Sequence, residues 1–326
     1  MKRVAVIATL LGLLLLIGLV IHEGVDDVAA VIGAAGFALL WLVPLHVLPL
    51  VLDARGWQTL LDRRRASLPY LTWIAAVREA VNRLLPAANI GGELVGIRLA
   101  SRVIPEAGIV TASVIVEVLV TLCAQYLLCA LGVVLTIVAV ARVPEENAII
   151  VALVLSLPVP VLLLWALREG ALFSRIESFA TRLVGASNAT IAGFDGQLLD
   201  VTLHALLKQH VLLLKVLLWQ LAGMALGTLE TWLALFLLGH PVGFIAAFAI
   251  EALSVAIRSV VFFVPSGLGV QEAGILMLAQ LFGVGPDIAL SLALVKRMRE
   301  VLFGVPALLS WQWFETLQLK RPTTHA

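Results

Sequence analysis

Residues 107–140 carry one charged side chain, Glu117, in a tract longer than a bilayer crossing requires. About 20 apolar residues span the hydrocarbon layer as a helix, so this tract predicts a transmembrane helix with an acid at mid-depth. The rest of the chain has the same character: 61% of its residues are hydrophobic and 13% charged. Apolar tracts at 4–21, 28–52, 107–140, 148–167, 209–238 and 287–312 predict six full spans, the second and last bearing Pro44, Pro49 and Pro306 as kinks. Lys2 and Arg3 precede the first tract and His22-Glu23-Gly24 follows it, without a small-residue cleavage site, so it is expected to remain as a span. No stretch is polar enough for a soluble catalytic domain beside the membrane part. The expectation is a single integral domain, 1–326, of the all-α class.

Two further tracts, 70–103 and 243–283, are broken in the middle. Residues 86–93 (P-A-A-N-I-G-G-E) and 265–272 (P-S-G-L-G-V-Q-E) lie 179 positions apart and share a leading proline, glycines and a closing glutamate. Pro86 and Pro265 each remove a backbone donor and disfavour helix in the preceding residue. Gly91, Gly92, Gly267 and Gly269 let the chain reverse and let backbones approach closely. The pattern predicts two re-entrant helical hairpins with these six residues at their tips, lining an internal cavity where non-helical backbone is satisfied. Three full spans separate the hairpins, so they enter from opposite leaflets. The fold expected is therefore a polytopic membrane protein of inverted repeats, approximately 28–140 and 207–318.

Lys2, Arg3, Arg55, Arg63, Arg64, Arg65, Arg168, Arg175, Arg182, Lys208, Lys320 and Arg321 fall on one side of the alternating spans, and the opposite loops are poor in base. Both termini are expected in the cytoplasm. Residues 171–186 show helical apolar spacing with interleaved charges, which predicts a helix lying on the inner leaflet. The distributed charge and net +1 give no basic face for nucleic acid.

Charge inside the membrane tracts is the second signal. Glu79, Glu93, Glu117, Glu230, Glu251, Glu272 and Glu300 share them with Arg78, Arg83, Arg258, Lys296, Arg297 and Arg299. At roughly 3 kcal/mol each on the insertion scale, these charges would cost about 40 kcal/mol unpaired, well above the stability of a folded domain. They must be paired or wet. Helical spacing suggests Glu79 with Arg83, Lys296 with Glu300, and Glu251 with Arg258. The 179-residue offset also places Glu79 on Arg258 and Glu117 on Lys296, opposite charges that a pseudo-two-fold axis would bring together. The expected cavity group is Glu79, Arg83, Asn89, Glu93, Glu117, Arg258, Gln271, Glu272, Lys296, Arg297, Arg299 and Glu300. The competing reading is that these are structural ion pairs, with Glu93 and Glu272 capping half-helices. Trp41, Trp57, Trp73, Trp311 and Trp313 read as interfacial anchors. Cys123 and Cys129 would face different sides of one helix, so no disulfide is expected.

The sequence lacks GxSxG, a P-loop, HExxH and CxxC, and His204 and His210 are poorly spaced for a metal. No cofactor, metal or catalytic residue is expected. Against that background, N-R-L-L-P-A-A-N-I-G-G-E-L-V-G-I-R-L-A (82–100), V-P-S-G-L-G-V-Q-E-A-G (264–274) and L-V-K-R-M-R-E-V-L-F-G-V-P (294–306) resemble the lysylphosphatidylglycerol synthase transmembrane-region family, and within it the hopanoid-biosynthesis-associated membrane proteins. The resemblance implies a lipid-handling protein of a bacterial cytoplasmic membrane, since the better-understood relatives flip aminoacylated phospholipids between leaflets. Those relatives carry a fused soluble aminoacyl transferase domain, and none is expected here. The function expected is a flippase for a polar, anionic or hopanoid-type lipid, with lipid-biosynthesis enzymes as candidate partners. The alternatives are a non-transporting scaffold for such enzymes and an integral lipid transferase.

Overall fold

The structure is a computed structural model, described here for residues 30, 32–61, 65–85, 91–140, 165, 173–174, 196–260 and 269–319. The expected spans at 4–21 and 148–167, the surface helix at 171–186, and Pro86, Asn89, Pro265 and Gly267 at the tips lie outside these residues or almost wholly so. Nine helices and no strand occur among the described residues. They are α1 (Leu42–Leu61, entered through a 3-10 turn at Gly36–Trp41), α2 (Leu68–Leu84), α3 (Gly91–Ala100), α4 (Ala107–Ala139), α5 (Gly196–Leu207), α6 (His210–Leu237), α7 (Phe244–Val260), α8 (Val270–Leu281) and α9 (Pro286–Leu319).

Among the described residues three stretches are long and apolar enough to cross a membrane: Ile32–Leu61, Ala107–Ala139 and His210–Leu237. Leu127, Val134, Val138, Val211 and Leu218 stand exposed on two of them, an outer surface suited to acyl chains. The protein is a multi-pass membrane protein. Helix α9 has the length, at 34 residues, but its charged middle separates it from the apolar class.

The two broken tracts form pairs of short helices. Helices α2 and α7 have 17 residues each, α3 has 10 and α8 has 12. At 1.5 Å per residue α3 and α8 are about 15–18 Å long, near half the hydrocarbon thickness. Helix α2 starts behind Ser67 with proline in its first turn and ends at Leu85, whose backbone is extended. That is the conformation forced on a residue preceding proline. Helix α8 starts behind Gly269, whose φ of 76° is one that L side chains rarely adopt.

Helix α1 lies along α6, where Gly56 faces Trp219 and Gly223 faces the Pro49 carbonyl. Small residues at such a crossing let backbones approach, the usual device where lipid replaces water. Around this pair, α2 packs on α3 and α9, α7 packs on α8 and α4, and α8 packs on α9. Gly304 of α9 meets Leu84 of α2, and Gly132 of α4 meets Ala252 of α7.

Trp57 corrects one expectation. It is fully buried and donates its indole N–H to Ser113 Oγ at 3.0 Å, joining α1 to α4. Trp41 and Trp313 are exposed, as interfacial anchors would be. Cys123 and Cys129 are free.

Candidate functional site: a charge-lined cavity between the helices

Helices α1, α2, α4, α6, α7 and α9, with single residues from the starts of α3 and α8, enclose a cavity of about 520 Å³. Much of its charged lining is organised by residues 296–300 on α9. Lys296 ion-pairs with Glu251 of α7 and donates to Thr231 Oγ1 of α6 at 2.8 Å. Arg299 Nε lies 2.7 Å from Glu230 Oε1 of α6, and its Nη1 is 3.8 Å from Glu79 Oε1 of α2. Glu300 receives Arg83 of α2 at 3.3 Å and Arg297 at 2.8 Å. His46 of α1 stands at the centre, 3.1 Å from Glu230 Oε2, 2.9 Å from Glu79 Oε2, and against Arg299 Nη1.

A second cluster forms where the first four helices meet. Arg78 of α2 ion-pairs with Glu93 of α3 and, at 2.9 Å, with Glu117 of α4, while its guanidinium lies 5.0 Å from the Trp57 ring. Asn82 Oδ1 accepts the Gly92 N–H at 2.8 Å, so it satisfies a free donor at the start of α3. A Cβ on Gly92 would overlap the Arg78 carbonyl oxygen, which explains glycine at this crossing. Asp53 of α1 accepts Gln220 Nε2 of α6 at 2.7 Å.

The lining also holds apolar side chains, interleaved with the charged ones. Val118, Leu122 and Leu128 come from α4, Met224 from α6, and Phe248 and Val255 from α7, with Thr121 and Gln125 among them.

Of the residues singled out from sequence, Glu79, Arg83, Glu93, Glu117, Arg258, Gln271, Lys296, Arg299 and Glu300 line this cavity. Glu272 and Arg297 do not. They bond to each other at 2.8 Å beside it, Glu272 being 2% exposed. Asn89 lies outside the described residues. Of the pairs expected from helical spacing, Glu79 with Arg83 forms at 3.5 Å. Lys296 does not take Glu300, nor Glu251 Arg258, because Lys296 takes Glu251 across the α7–α9 gap. The opposite charges matched by the 179-residue offset do not meet either: Glu117 is held by Arg78, and Glu79 by His46, Arg83 and Arg299. No carboxylate among the described residues is within ion-pair distance of Arg258, which is half-buried at the end of α7. His46, Asp53 and Gln220 were not expected in the site. The available signal was that His46 and Asp53 are seven apart, on one face of a helix. Among the described residues no three of His, Cys, Asp and Glu are placed to hold a metal ion.

The family model for the lysylphosphatidylglycerol synthase TM region matches residues 3–307. The chain belongs to that family. Membership places it among membrane proteins of lipid metabolism or transport, in agreement with its spanning helices. A search of curated proteins and a search of solved structures each returned no match.

Proposed function

We propose that this family member is a flippase, carrying a lipid with a polar or anionic head group between leaflets through the cavity. The observation that carries the reading is a cavity between the helices whose lining combines charged and apolar side chains, which suits the two ends of an amphiphile. Arg258, without a carboxylate partner among the described residues, is the cation for the head group. The acyl chains run along α4 and α7. A hopanoid-type lipid suits the same mixed lining.

Alternating exposure follows if the helices form inverted repeats around re-entrant hairpins. Exchanging α1 with α6, α2 with α7, α3 with α8 and α4 with α9 carries the packing pattern onto itself: α2 on α9 becomes α7 on α4. The starts of α3 and α8, Gly91 and Val270, and of α4 and α9, Ala107 and Pro286, keep the 179-residue offset. Both facts support a pseudo-two-fold relation, with the half-depth helices α3 and α8 entering from opposite faces. On this reading the six-span arrangement sits in a bacterial cytoplasmic membrane with both termini inside, and lipid-biosynthesis enzymes supply or take the lipid. No chemical step is assigned to the chain.

The test is leaflet exchange in vesicles reconstituted with purified protein and a head-group-labelled anionic lipid. The protein should accelerate exchange, and Arg258→Gln should remove most of that acceleration without changing thermal stability. A folded, reconstituted protein that leaves exchange at the protein-free rate for anionic, zwitterionic and hopanoid-type lipids refutes the proposal. Product formed from an added activated donor would favour a transferase.

A further inference from the structure

The charges around the cavity are unevenly distributed. Its walls hold seven carboxylates and five permanent cations, a surplus of two carboxylates. The surplus sits in one place. Glu79, Glu230, Glu251 and Glu300 are matched in number by Arg83, Arg258, Lys296 and Arg299, whereas Asp53, Glu93 and Glu117 share Arg78 alone. The Arg78 guanidinium is already used on both carboxylates and on the Trp57 face. Asp53 has only the neutral Gln220 amide.

Glu117 is 1% exposed, and its Oε1 has no hydrogen-bond partner. Gln271, 8% exposed and lining the same cavity from α8, also has an unpartnered Oε1. Such buried polar atoms call for an occupant. Of the other permanent cations in the lining, Lys296 is committed to Glu251, Arg299 to Glu230 and Glu79, and Arg83 to Glu79 and Glu300, while Arg258 is the one assigned above to the head group. His46, on the same helix as Asp53, is held between Glu79 and Glu230. Helix α5, which packs on α4, contributes nothing to the cavity wall, and its Asp200 accepts the backbone N–H groups of Phe173 and Ser174. Two unmatched negative charges in a membrane interior are expensive. A metal ion is a poor remedy, because the carboxylates are not grouped as ligands and Arg78 stands among them. A proton needs no coordination shell.

We propose that Asp53 and Glu117 form a proton-binding site, and that this site gains and releases a proton as the cavity changes the side it opens to. Glu93 stands apart from this pair, held by Arg78 at the start of α3 with 21% of its side chain exposed. The coupling to lipid movement rests on the flippase reading; the proton site does not.

Infrared spectroscopy of the purified full chain tests the site. At neutral pH the protein should show the carbonyl stretch of a protonated carboxyl group, shifted in deuterium oxide. Glu117→Gln should lose that band, Glu117→Asp should retain it, and Asp53→Asn should move its titration. Gel filtration and tryptophan fluorescence confirm that each variant is folded. Absence of the band in the parent protein, or its persistence unchanged in both Glu117→Gln and Asp53→Asn, overturns the proposal. In vesicles, an imposed pH gradient should accelerate lipid exchange in the parent and have no effect in Glu117→Gln. Exchange indifferent to the gradient overturns the coupling while leaving the flippase reading intact; the infrared band without exchange of any lipid supports the site and refutes the flippase.

Discussion

Replacing Arg78 by methionine removes the one cation shared by Glu93 and Glu117 while retaining most of the aliphatic volume beneath Trp57. Its side chain is 9% exposed, and that of Glu117 is 2% exposed. Breaking a buried pair by deleting one partner costs about 3–5 kcal/mol, because the remaining charge stays in a poorly solvating place. Loss of the stacking on Trp57 adds about 0.5–2 kcal/mol. The penalty comes mainly from the carboxylates left without a cation, so a second change that removes the other ion-pair partner, Glu93→Gln, should return about 2 kcal/mol of it. Denaturant unfolding of the micelle-solubilised protein, followed by tryptophan fluorescence, gives the three free energies needed for the cycle. If the double variant is as unstable as the sum of the two single variants, the pair has no coupling and the electrostatic account of this corner is wrong.

Gly92→Ala should destabilise the protein by about 1–3 kcal/mol in the same assay, since its Cβ would overlap the Arg78 carbonyl and lie 2.7 Å from Asn82 Nδ2. Trp57→Phe should cost about 1–3 kcal/mol by removing the indole donor to Ser113, whereas Trp41→Phe, at an exposed position, should be close to neutral. Gly269→Ala should cost about 1–2 kcal/mol from the φ of 76° at the entry to α8, visible as a lowered midpoint of thermal unfolding.

The apolar tracts and their interruptions were readable because both are local. A proline that stops α2 after Leu85 and a glycine that opens α8 act within a few residues of themselves, so the ends of these helices could be placed from sequence. Glu79 and Arg83 also announced themselves, being one turn apart. The partners of Lys296 and Glu117 did not. Lys296 reaches Glu251, and Glu117 reaches Arg78, across gaps between crossing helices, a geometry set by how whole helices pack rather than by spacing along one of them. Trp57 misled for a related reason: its position near a span end suggested an anchor, but α4 covers it and Ser113 satisfies its N–H. His46 and Asp53 were hidden because a lone polar residue at the edge of an apolar tract gives no indication of which neighbouring helix it will face.

Within five positions α9 addresses most of its surroundings. Lys296 points to α7, Arg297 to α8, Arg299 to α1, α2 and α6, and Glu300 to α2. Each residue turns the helix by about 100°, so an inserted or deleted residue just upstream would swing all four side chains away from their mates together. A change of length that preserves this quartet therefore belongs in the loops, and the register of α9 matters as much as the residues themselves.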